Sequence, residues 1–129
     1  PIYSSHYQGP TARVVQGILD NVLLGAATIV HGAQVRNSIL RREVVVEPGA
    51  VIEDCVIMDY ARIGAGAKLR HAIIDRHNVI APGAQIGYDL ARDREAGYHI
   101  TEGGMVVVPL GDVRYFSRGE NRIGGGYSE

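Results

Sequence analysis

The sequence predicts an all-β domain wound as a parallel β-helix, a solenoid of about four 17-residue coils closed by a C-terminal capping hairpin. Three observations carry this. Gly32, Gly49, Gly66 and Gly83 recur every 17 residues, and each is followed by an alanine: Ala33, Ala50, Ala67 and Ala84. Aliphatic residues keep the same period in columns on either side of that pair. No column has the three-and-four spacing of an amphipathic helix, and 17 residues are too few for the paired helices of a helical repeat.

The columns assign each side chain a direction. Ile29, Val46, Ile63 and Ile80 precede the glycines by three residues, and Ile18, Val35, Ile52, Leu69 and Ile86 form a second inward column. The pairs Val22-Leu23, Ile39-Leu40, Val56-Ile57 and Ile73-Ile74 form a third. Smaller residues sit beside the large ones: Ala27, Val44, Ala61 and Asn78 in one column, the post-glycine alanines in another. Large aliphatics are five or six residues apart, and six extended residues span roughly 20 Å. Three such segments close a narrow triangular coil whose parallel strands stack at about 4.8 Å. In this alignment no residue is inserted or lost between Ile18 and Gln85.

The corners have their own chemistry. Pro48-Gly49 and Pro82-Gly83 carry the type II turn order, in which glycine takes positive φ. Gly32, Gly49, Gly66 and Gly83 are therefore structural turn residues. Gly64-Ala65-Gly66 reads as a corner and not as a phosphate loop, since it lacks the strand-to-helix context such loops need. Outward positions stack charge of alternating sign: Arg36, Glu53 and Arg70 in one column, Arg42, Asp59 and Arg76 in another. These columns read as a solvated face laced with ion pairs; twelve arginines against one lysine, Lys68, leave an anion-binding or partner-facing surface as the alternative.

Outside the repeat, residues 1–17 read as an ordered connector from a preceding domain, with coils over residues 18–87. Residues 88–110 read as a short helix and hairpin. Asp89 caps residues 90–96 and Gly97 stops them. Strands at 99–101 and 105–108 flank Gly103-Gly104 and cover the open end of the solenoid. Residues 111–129 turn polar and glycine-rich, the composition of a mobile tail.

Composition bounds the function. With 46 % hydrophobic and 21 % charged residues over 129 positions, the chain is a soluble globular domain without wholesale disorder. No apolar run approaches the roughly 18 residues of a membrane span, so no membrane partner is expected. A net charge of −1 removes the electrostatic reason to expect nucleic acid. One cysteine, Cys55, and no secretory signal fit a reducing, cytoplasmic setting. The first residue is Pro1, as expected of a chain that starts part-way through something longer.

Catalytic chemistry is hard to place. His31, His71 and His77 fall in three different columns, so no stacked imidazole site for a metal is expected. A freestanding hexapeptide-repeat acyltransferase would use a histidine base and a loop protruding from the coils. Unbroken units leave no room for that loop. Cys55 shares a column with Asn21, Ser38 and Ala72, the place of a small structural residue. No catalytic residue and no metal ligand is assigned.

A family resemblance rests on particular runs. Asn37-Ser38-Ile39-Leu40, Val46-Glu47-Pro48-Gly49-Ala50, Glu53-Asp54-Cys55-Val56-Ile57, Ala72-Ile73-Ile74-Asp75-Arg76 and Val79-Ile80-Ala81-Pro82-Gly83 resemble the C-terminal domain of bacterial glucose-1-phosphate adenylyltransferase (ADP-glucose pyrophosphorylase). Pro1-Ile2-Tyr3 and Pro10-Thr11-Ala12-Arg13 resemble the segment leading out of that family's catalytic domain. Thr101-Glu102-Gly103-Gly104-Met105-Val106-Val107-Val108 resembles its terminal hairpin.

The resemblance implies a left-handed β-helix. It also implies a parent nucleotidyltransferase that makes ADP-glucose and diphosphate from ATP and glucose 1-phosphate for glycogen biosynthesis. ATP and Mg2+ would belong to a catalytic domain outside this chain, which alone would be inert and hold no cofactor. The implied roles of the segment are assembly of a homotetramer against its own catalytic domains and allosteric response to phosphorylated metabolites. Arg13 matches the family's basic residue in the junction segment and is the candidate effector contact. Ser5 and Tyr7 stand where plant-type relatives carry glutamine and arginine.

Overall fold

The structure is a computed structural model that describes residues 12–111. It is a parallel β-helix of about four turns with one short helix. In chain order the strands are β1 (Arg13–Val15), β2 (Ile18–Leu24), β3 (Ile29–His31), β4 (Gln34–Leu40), β5 (Val45–Val46), β6 (Val51–Glu53) and β7 (Val56–Ile57). They continue as β8 (Arg62–Ile63), β9 (Lys68–Arg70), β10 (Ala72–Ile74), β11 (Val79–Ile80) and β12 (Gln85–Ile86). Helix α1 (Leu90–Glu95) and strands β13 (His99–Ile100) and β14 (Val106–Val108) complete the described chain.

These strands build three flat faces. The first stacks β1, β3, β5, β8 and β11, all parallel. The second stacks residues 18–20 and 34–36 with β6, β9 and β12. The third stacks residues 22–24 and 38–40 with β7, β10 and β14, and β13 lies antiparallel on β14. The first coil thus begins at Arg13, inside the stretch read from sequence as a connector.

Each face sends one large and one small column inward. On the second face Ala33, Ala50 and Ala67 lie beside Val35, Ile52 and Leu69, and all are buried. On the third face Ser38, Cys55 and Ala72 lie beside Leu40, Ile57 and Ile74. Valine also enters the small column, as Val22, Val44 and Val106. The polar members are satisfied within it: Ser38 Oγ donates to Arg36 O at 2.7 Å and accepts from Cys55 N, and Thr28 Oγ1 accepts from Val44 N.

The first coil departs from the sequence alignment. Val30 pairs with Val46, sixteen residues on, whereas Gln34 pairs with Val51, seventeen on. One residue is missing at a corner: His31-Gly32 turns in two residues where Glu47-Pro48-Gly49 uses three. A one-residue slip on a pleated strand reverses every side chain. Ile18 and Ile29, expected inside, point outward, and Ile18 is 59 % exposed. Leu19, Val22, Leu24, Thr28 and Val30 take the interior. Val22, not Asn21, shares the Cys55 column, and Thr28 replaces Ala27.

All three corners use the left-handed backbone region, and only one does so with glycine. Gly32, Gly49, Gly66 and Gly83 follow Gln16 at the first corner. The second corner holds Asn21, Asn37, Asp54 and His71, the third Ala27, Glu43, Tyr60 and His77, all with φ between 51° and 63°. Such a conformation costs roughly 1–2 kcal/mol for a residue with a Cβ. It is offset because each corner amide reaches the rung before it: Asp54 N to Arg36 O, His71 N to Glu53 O, Tyr60 N to Arg42 O. Asparagine and aspartate tolerate this region better than most residues. At the second corner their side chains also bond along the stack, Asn21 to Asn37 and Asn37 Nδ2 to Asp54 Oδ1 at 2.7 Å.

The distal end is closed as the sequence implies. Asp89 caps α1 by accepting from Arg92 N, and Gly97 follows the helix with φ +94°. The buried Asp93 carboxylate accepts from Gly87 N at 2.9 Å and ties the helix to the last coil. β14 adds a final parallel rung on β10, burying Val106 and Val108. Asn78 donates both to Asp75 O and to Pro109 O, so it joins coil to cap instead of filling a small inward site.

Candidate functional site

The polar surface concentrates at the second and third corners. At the second, Asp20, Asn21, Arg36, Asn37, Glu53 and Asp54 line an open cleft of about 400 Å³. The expected column Arg36, Glu53, Arg70 is present in register, with Arg36 and Glu53 3.8 Å apart. Both are partly exposed, so the pair is worth about 0–1 kcal/mol. Arg70 lies over the Tyr88 ring at 4.2 Å, which holds the chain leaving the last coil against the second face.

At the third corner the pairing differs from the expected column. Asp59 accepts from Arg41 Nε at 3.2 Å, one residue before the predicted Arg42. Arg42 gives Asp59 only its backbone N–H, at 3.3 Å, and its guanidinium donates to the Tyr60 hydroxyl at 3.0 Å. The Tyr60 ring stacks on His77 with centroids 5.1 Å apart. Successive rungs therefore present a cation, a phenol and an imidazole in one line. Arg62 completes the set by donating to Glu47 at 2.9 Å.

The sequence-named groups do not converge. Arg13 is exposed on β1, and its neighbours in the outward column are Ile29 and Val45. Its guanidinium makes no ion pair with another described residue. Residues 1–11, which hold Ser5, Tyr7 and the rest of the junction segment, lie outside the described residues, as does the tail from 112 onward. His31, His71 and His77 occupy three different corners. Among the described residues no group of three or more His, Cys, Asp or Glu side chains could hold a metal.

Cys55 is a free thiol buried inside the coils. Burial, with Asp54 adding to it, pushes its thiol up from 9.0 to about 12, against the opposing backbone hydrogen bonds. The native state thus favours the neutral thiol. Its contribution to stability is complete below about pH 9 and is lost as pH rises toward about 12. At about pH 8 an aromatic disulfide reagent should leave the folded chain unlabelled and titrate one thiol after denaturation. Rapid labelling of the folded chain would contradict this placement.

The sequence reading overlooked one surface. Each of the aliphatic pairs Leu23-Leu24, Ile39-Leu40, Val56-Ile57 and Ile73-Ile74 sends its second member inward and its first outward. Adjacent strand residues point to opposite faces, so the doublets themselves carried that signal.

Comparison with known proteins places these features. The family model described as "GlmU-like, C-terminal hexapeptide" matches residues 10–108. The chain belongs to the GlmU-like C-terminal hexapeptide family. That family fits a left-handed β-helix, which gives the coils described above their hand. Similar proteins include the glucose-1-phosphate adenylyltransferase of Corynebacterium kroppenstedtii, 56 % identical over 84 % of this chain and 27 % of its own. That of Acidothermus cellulolyticus is 53 % identical over 84 % of this chain and 26 % of its own. That of Mycobacteroides abscessus is 54 % identical over 79 % and 25 %. The chain therefore spans about a quarter of the length of these relatives, and the match falls in their C-terminal part. Among the described residues no helix is long and apolar enough to cross a membrane.

Proposed function

We propose that this segment is the regulatory and assembly domain of a cytoplasmic glucose-1-phosphate adenylyltransferase. In this reading the parent makes ADP-glucose and diphosphate from ATP and glucose 1-phosphate, with ATP and Mg2+ bound elsewhere in it. The single observation that supports it is identity of 53–56 % over 84 % of this chain to relatives so named. A hexapeptide solenoid alone would be shared with unrelated transferases. That identity narrows it.

Arg13 is the effector contact in this proposal. It sits on the first rung, where the chain enters the solenoid, and a guanidinium can hold a phosphate through two parallel hydrogen bonds. Charge-assisted bonds are worth about 1.5–3 kcal/mol, so Arg13→Ala in the full-length protein should raise the effector concentration for half-activation about tenfold or more. Turnover without effector should not change. An unaltered effector response would remove Arg13 from this role. Absence of diphosphate formation from ATP and glucose 1-phosphate by the full-length protein would remove the whole reading.

A further inference from the structure

We draw no further inference here: the strongest candidate, the open cleft at the second corner lined by Asp20, Asn21, Arg36, Asn37, Glu53 and Asp54, is an acidic cluster whose side chains bond to one another, Asn21 to Asn37, Asn37 to Asp54 and Arg36 to Glu53, and nothing among the described residues points to a ligand there.

Discussion

Leu69→Ala should lower the unfolding free energy of the chain by about 2–5 kcal/mol, the range for a large aliphatic removed from a packed core. Leu69 is fully buried between Ile52 and Ile86 in the second-face column. The rungs around it are held by main-chain hydrogen bonds at fixed spacing, so they cannot close over the gap. Neighbouring coils supply all of each coil's contacts, and the loss is felt across the stack. Lys68→Ala, one residue away and exposed, should change stability by less than about 0.5 kcal/mol. Urea denaturation of the two variants decides it. Similar midpoints would mean that this column is not the core.

The second large effect is expected at Gly64. A Cβ there would lie 2.6 Å from Pro82 N and 2.7 Å from Ile80 O, both backbone atoms of the next rung. Gly64 N also donates to Ile80 O at 2.9 Å, so the two rungs cannot separate without losing the ladder. Gly64→Ala should cost about 3 kcal/mol or more, at the upper end of overpacking changes. Gly66 presents a different case. Its Cβ would meet open space, and only its φ of +71° resists a side chain, at about 1–2 kcal/mol. Gly64→Ala is therefore the more damaging by thermal or chemical denaturation, with changes at exposed Ala65 nearly silent. The reverse order would show that corner conformation, not rung contact, governs this turn.

Much of this architecture was legible in the residues. The period survives in sequence because every full coil must present the same small residue, the same aliphatic and the same corner at the same height. Asp89 and Gly97 marked the helix ends through local hydrogen bonding and backbone conformation, which depend on near neighbours alone. The register of the first coil was not legible. Ile18-Leu19, Leu23-Leu24 and Ile29-Val30 each offer an aliphatic in both phases, so either alignment satisfies the pattern. The shortened corner at His31-Gly32 selects one.

The candidate site divides in the same way. Arg13 was named from the chain's resemblance to a family, and its fold position adds only that it stands on the first rung beside Ile29. The Arg41 guanidinium, not that of Arg42, pairs with Asp59, to which Arg42 gives only its backbone N–H, because contact between long side chains depends on where the corner aims them. The left-handed residues Glu43, Tyr60 and His77 carry no compositional mark of a turn. They are held there by hydrogen bonds to the rung before, a long-range cause.

By itself the sequence determined the repeat length, the all-β solenoid and the glycine corner, all consequences of interactions that recur every 17 residues. Tertiary structure alone decided the phase of the first coil and the partners of the surface arginines. Those depend on which of two equivalent sides of a strand meets the interior, and only the closing of the coil on its neighbour breaks that tie.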